Sequence, residues 1–257
     1  MRRITTETIK SFNDHLINEE KAAATVNKYV RDVVEFQKWL GQQDLCKTSV
    51  LSYKAYLCEQ YAPSSVNAAL SSLNSFWVFM EWYDLRVKNL KIQKQIFAST
   101  DKELTKAEYD RLLQAAKRKK NERLYLLMQT ICSTGIRVSE VRYVTVEALT
   151  RGIAEINCKG KRRQVFLPKQ LCQILKQYIK EQKIKSGAVF VTKNGNPLDR
   201  SNIWSDMKKL CKTANVSENK VFPHNLRHLF ARTYYSLQKD IVRLADILGV
   251  NRGVAKR

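Results

Sequence analysis

The chain has 257 residues, with 46 Lys and Arg against 24 Asp and Glu, a formal charge of +22 and a pI near 9.8. Self-repulsion of this size suits a protein whose partner is a polyanion, so nucleic acid is the leading candidate. A hydrophobic share of 44% with 11 Tyr, 9 Phe and 4 Trp excludes wholesale disorder, while only 8 Gly and 4 Pro speak against a turn-rich sandwich and for long helices.

Taken in chain order, residues 4–41 read as two helices. Ile9, Phe12, His15 and Leu16 recur at helical spacing, then Val26, Tyr29, Val30, Val33, Phe36 and Leu40, and Gly41 ends the second. A third helix spans Thr48–Gln60. The fourth begins after Pro63, where Ser64 or Ser65 can cap it, and its stripe of Val66, Leu70, Leu73, Phe76, Trp77 and Met80 reads as a bundle core. Residues 1–88 are therefore expected to form an all-helical domain, and 89–102, lysine-bearing and weakly periodic, a linker.

A second domain, 103–257, opens on a capping box, Thr105 with Glu108, ahead of the apolar face of Tyr109, Leu112, Leu113 and Ala116. A helix from Leu124 to Cys132 stops near Gly135, and a short one follows over Ser139–Val144. GIAEIN and RQVFLP read as a β-hairpin joined by Cys158-Lys159-Gly160-Lys161. Beyond Pro168 come a helix, a short strand AVFV, a Gly-Asn-Pro turn, a helix with Trp204, Met207 and Leu210, the helix HNLRHLFARTYYSL after Pro223, and a last apolar helix, DIVRLADIL. The fold class expected is mainly α with a small antiparallel sheet. No run of about 18 apolar residues and no signal-like start appear, and the six cysteines form no CxxC pair. A cytoplasmic protein with reduced thiols, no metal site, no cofactor and no membrane partner is expected.

Three pieces carry chemistry: Thr134-Gly135-Ile136-Arg137-Val138-Ser139-Glu140, the hairpin lysine Lys159, and Pro223-His224-Asn225-Leu226-Arg227-His228. In this order and spacing the chain resembles the tyrosine recombinase family, the phage-integrase and Xer-type site-specific recombinases. The resemblance covers both halves and implies a SAM-like core-binding domain, SSVNAALSSLNSFWVFM included, followed by a catalytic domain from LTKAEYDRLL. Phosphodiester transesterification builds negative charge on two non-bridging oxygens, and without a metal that charge must meet fixed cations. The resemblance makes Arg137 and Arg227 the clamping pair, whose planar forks grip phosphate in bidentate fashion. Glu140, three residues after Arg137, can orient its guanidinium. His224 shares a helix face with Arg227.

Lys159 can protonate the leaving 5′ oxygen. Alternatively Lys159, Lys161, Arg162 and Arg163 only hold backbone phosphates, and Lys161 competes for the role of acid. Lys117 to Lys120 is as well read as a solvated helix end as a DNA contact. In the first domain Lys28, Arg31, Ser64, Ser65 and Asn67 occupy faces that in the family approach the major groove. The partner implied is double-stranded DNA, bound by a homo-oligomer, four protomers on two sites in the family.

The resemblance breaks at the end. Family members follow Leu-Gly with His or Trp and then supply the nucleophilic tyrosine. Here Ile247-Leu248-Gly249 is followed by Val250, and no tyrosine stands after Tyr235. Tyr234 and Tyr235 are expected to pack inside, as core or partly buried side chains. These 257 residues are thus expected to be inactive alone. The alternative function is a non-catalytic DNA-binding protein or regulator derived from a recombinase.

Overall fold

The structure, a computed structural model, describes residues 2–92, 102–158, 161–192 and 194–250, without the side chains of Cys158 and Lys161. It divides into two compact units, Met1–Gln95 and Ile96–Arg257.

The first unit is a four-helix assembly of α1 (Thr6–Asn18), α2 (Ala23–Leu40), α3 (Lys47–Gln60) and α4 (Pro63–Phe79). Helix α1 starts where Thr5 and Thr8 exchange hydrogen bonds in a capping box. Helix α4 starts two residues ahead of a Ser64 cap and three ahead of a Ser65 cap. Pro63 takes the first helical position, which its fixed φ suits, so Ser64 and Ser65 lie exposed in the first turn and cap nothing. The apolar stripes converge on an aromatic core. Phe12 meets Phe76 edge-on at 5.1 Å and Phe36 meets Trp77 at 5.5 Å, all four rings fully buried. Each such ring contributes about 1.5–3 kcal/mol by burial alone.

The chain leaving this unit does not become a linker at residue 89. It runs in an extended stretch past α3 and α4, held from both sides. Lys47 and Lys54, two turns apart on α3, donate to the carbonyls of Arg86 and Lys88. Asn74 pairs with both N–H and C=O of Val87 at 2.9 and 2.8 Å, and Asn67 does the same for Leu90 at 2.7 and 2.9 Å. An amide side chain suits this task because it carries a donor and an acceptor side by side. Replacing Asn67 and Asn74 together by alanine should cost about 1 kcal/mol per lost hydrogen bond. It should also open Arg86 and Lys88 to trypsin, whereas a digestion pattern identical to wild type would show that the lysines suffice.

The second unit contains α5 (Lys106–Arg118), α6 (Glu122–Thr134), α7 (Val146–Arg151), β1 (Ile153–Cys158), β2 (Lys161–Phe166), α8 (Lys169–Glu181), α9 (Arg200–Lys208), α10 (Cys211–Ala214), α11 (Pro223–Gln238) and α12 (Ile241–Leu248). The Thr105–Glu108 capping box forms as read from sequence. The stretch Ser139–Val144 is a 3-10 turn, Val138–Tyr143, rather than an α-helix. Residues AVFV do not form a strand. Val189 and Phe190 lie buried in the core where the chain bends, and the half-buried Ala188 and Val191 on either side make only single bridges, to Thr145 and to Pro197. The apolar run answers to burial, not to sheet pairing.

The sheet is therefore one antiparallel hairpin, with Ile156 opposite Arg163 and Ala154 opposite Val165. Helix α11 packs against α6, and α12 against α11. Leu112, Leu127, Met128, Ile131, Ile136 and Leu226 lie at the centre of the core. No helix of the described residues is long and apolar enough to cross a membrane.

Candidate active site

Helix α6 ends at Gly135, which takes a left-handed conformation, φ +65°, to turn the chain. Two constraints make glycine obligatory there. A Cβ would also lie 2.5 Å from the Phe230 ring and 2.9 Å from Leu248. The turn buries Ile136 and delivers Arg137 to the start of the 3-10 turn.

Glu140 then folds back on Arg137. Its carboxylate accepts the Arg137 backbone N–H and the Nη1 donor, both at 2.9 Å, and it is 2% exposed. Burial pushes the Glu140 pKa up, but the Arg137 hydrogen bonds and the Arg163 charge outweigh it and hold the group below the ordinary carboxylate range. Arg137 itself is 39% exposed; Glu140 holds its Nη1 and the Gly249 carbonyl accepts from its Nη2 at 3.1 Å, which leaves the remaining donors for a ligand.

Pro223 starts α11, and the Asn225 side chain fixes that end by donating to the carbonyls of Lys102 and Lys220. Arg227, one turn in, is buried at 5% exposure and donates to the carbonyls of Gly135 and Leu248, both at 2.6 Å. A guanidinium has five N–H donors, so these two bonds aim it while others remain for a ligand. Burial, then the charges of Arg137 and Arg163, push its pKa down to about 10, which leaves it protonated at neutral pH.

His224 lies exposed in the first turn of α11, edge-on to His228 at 4.4 Å. Its pKa is lowered by burial of the ring's inner side and then by His228, Arg227, Arg137 and Arg200. Cations on several elements thus face one small area at the N-terminus of a 16-residue helix, where backbone N–H groups add positive potential. A phosphodiester bound there would offset the field on His224 and raise its pKa, so binding takes up a proton. Affinity for a short DNA duplex, read by fluorescence anisotropy at fixed salt, should rise as pH falls from about 7.5 to 6, by at most tenfold per pH unit for one proton. His224→Gln should flatten that slope, and an unchanged slope would assign the proton elsewhere.

Lys159 lies outside the described residues, as does the side chain of Lys161. The flanking strand residues Cys158 and Lys161 pair, and Tyr143 braces that end of the hairpin by donating to the Asn157 carbonyl. Arg162 faces solvent. Arg163, expected with it to hold phosphates, is turned the other way. Alternate strand residues point to opposite faces, and the register puts Arg163 on the face of Ala154, Ile156 and Val165. Its guanidinium donates to Glu140 at 2.6 Å and to the Ile247 carbonyl. Period-two alternation against those apolar neighbours is the sequence signal that would have shown this.

In the first unit Lys28 pairs with Asp32 and donates to the Ala68 carbonyl, while Ser72 donates to Asp32 at 2.6 Å. Arg31 is 69% exposed, and Ser65 lies with Lys28 and Arg31 along a cleft of about 780 Å³ that also contains Tyr53, Tyr56 and Tyr61. Asn67, expected on a DNA-facing surface, has its amide on Leu90. The expectation that Tyr234 and Tyr235 pack inside fails for the second. Tyr234 leans on Phe230, but Tyr235 is 47% and Leu237 74% exposed, because the end of α11 has no element covering that side among the described residues.

Comparison with known proteins bears on the family and the fold. The pattern of the "Phage integrase family" matches residues 102–252, and that of the "Phage integrase, N-terminal SAM-like domain" matches residues 9–83. The chain is 27% identical to tyrosine recombinase XerC of Lacticaseibacillus casei over 94% of this chain and 89% of that one. It is 24% identical to tyrosine recombinase XerD of Halalkalibacterium halodurans over 88% and 82%. Among solved structures, a lambda integrase tetramer bound to a Holliday junction shares the fold, with a TM-score of 0.77 at 16% identity over 98% of this chain and 76% of that one.

Proposed function

The chain belongs to the phage integrase family of tyrosine recombinases, and on that premise we propose that it is a site-specific DNA recombinase subunit that holds a scissile phosphate between Arg137, Arg227 and His224. The observation that carries the reading is the convergence of an open, carboxylate-anchored arginine, a buried backbone-aimed arginine and a histidine at one helix N-terminus.

In the proposed step a tyrosine hydroxyl loses its proton to solvent as its oxygen attacks phosphorus, the bond to the 5′ oxygen breaks, and Lys159 gives that oxygen its proton. Arg137 and Arg227 meet the charge that grows on the non-bridging oxygens. The 3′-phosphotyrosine conserves the bond energy for rejoining, so no nucleoside triphosphate is consumed, and the fixed cations serve in place of a metal. Tyr235 does not fit the nucleophile's place. It lies eleven residues beyond His224 on the same helix, about 16 Å along the axis at 1.5 Å per residue. The tyrosine is therefore proposed to come from outside these 257 residues.

Arg31, Lys28, Ser64 and Ser65 of the first unit and Lys161 and Arg162 of the hairpin are proposed to face double-stranded DNA. Assembly on DNA as an oligomer, four protomers on two sites, is proposed too, supported by the DNA-bound complexes in which structural neighbours were solved, and residence in the cytoplasm completes the proposal.

A nicked suicide duplex tests it. The 257-residue chain should bind without forming a covalent adduct, and fusion to a family tyrosine segment should produce one that Arg137→Ala or Arg227→Ala abolishes. An adduct formed by the 257-residue chain and lost in Tyr235→Phe would contradict the assignment.

A further inference from the structure

We infer that Arg163 is a positioning residue: lodged between Glu140 and the last turn of α12, it fixes the carboxylate that aims Arg137 and ties that aim to the seating of α12. The inference rests on the reading of Arg137 as a phosphate clamp. Three consecutive carbonyls at the end of α12 each accept from a different arginine. Ile247 takes Arg163, Leu248 takes Arg227 at 2.6 Å and Gly249 takes Arg137 at 3.1 Å. The helix end, with its partial negative charge, is thereby joined to both clamping guanidiniums and to a third whose side chain is 15% exposed. Arg163 also completes Glu140, whose two oxygens are divided between Arg137 on one side and Arg163 with the Arg137 backbone N–H on the other.

Stability does not call for a charge here. A buried ion pair is commonly no more stabilising than apolar side chains of the same volume. What a guanidinium adds, and methionine cannot, is two directed bonds that fix the hairpin, the Arg137 turn and α12 relative to one another. The fit is close: at Gly249, φ +58°, a Cβ would lie 2.7 Å from Arg163 Cδ and 3.0 Å from its Nε. Glycine at that position lets the arginine through.

The test reads Arg137 directly. Rotation about its Nε–Cζ bond, measured by NMR without any anion, is slow while Glu140 holds one nitrogen. Inorganic phosphate is then titrated and followed at the Arg137 and Arg227 Nε–Hε signals. Arg163→Met should speed the rotation and weaken phosphate binding about tenfold, the scale of one charge-assisted hydrogen bond. In a Glu140→Gln background the same substitution should add nothing, because Arg163 acts through Glu140. Should Arg163→Met not fold, Gly249→Ala displaces the guanidinium without removing it and should move both readouts in the same direction. Unchanged Arg137 rotation in the folded variant overturns the inference. If phosphate leaves the wild-type signals unmoved, the clamp reading fails, while the anion-free comparison still decides the role of Arg163.

Discussion

Glu140→Ala is expected to destabilise the second unit by about 3–5 kcal/mol, the cost of leaving a buried charge without its partner. The charge in question is Arg163, whose side chain is only 15% exposed. Arg137, more open to water, would lose its anchor yet remain solvated, so the stability loss falls mainly on the hairpin and the clamp loss on Arg137. Chemical denaturation read by a probe in the second unit would show a lower midpoint. The acid limb provides a control. Because the folded-state pKa of Glu140 lies below its unfolded value, its contribution is complete above the unfolded pKa and is lost as pH falls through the folded one. Glu140→Gln should therefore narrow the stability gap to wild type as pH drops below about 4. A gap that stays constant with pH would mean that the carboxylate charge is not what the fold uses.

The second large effect is expected at Gly135. Alanine at φ +65° costs about 1 kcal/mol in backbone strain, and its methyl would have to displace Phe230 and Leu248. Shifting side chains that pack a turn costs a further 1–3 kcal/mol, roughly the range for overpacked sites. Gly135 also presents the carbonyl that aims Arg227. Gly135→Ala should then lower the melting temperature and weaken the clamp together, whereas a surface change such as Arg31→Ala should reduce only DNA affinity and its salt dependence. A Gly135→Ala protein with wild-type melting and wild-type phosphate binding would show that the turn relaxes freely.

The second-unit helices and the capping box were legible because period 3.6 and the Thr105–Glu108 pair are local signals. The hairpin was legible because two alternating runs stand close together in the sequence with Lys-Gly between them. Arg137, Glu140 and Arg227 could be found from motif spacing, but not the way they are held. Gly135, Ile247, Leu248 and Gly249 contribute backbone carbonyls or a missing Cβ, and neither has a side-chain signature. Ser64 and Ser65 misled because both can cap a helix, while the fixed φ of Pro63 set the start two residues ahead of a Ser64 cap. Residues AVFV misled because an apolar run of that length signals burial whether or not it finds a strand partner. Asn67 misled as a DNA-facing position and Asn74 carried no signal, since the segment they hold lies 13–23 residues further along the chain.

The central claim is that Arg137 and Arg227 grip one particular phosphate of a DNA duplex. Phosphate-ethylation interference on a duplex selected for tight binding tests it most directly. Among the phosphates whose ethylation interferes with wild-type binding, one per half-site should depend on the clamp: Arg137→Ala or Arg227→Lys should erase interference at that phosphate while leaving the others. Interference unchanged in both variants would contradict the account.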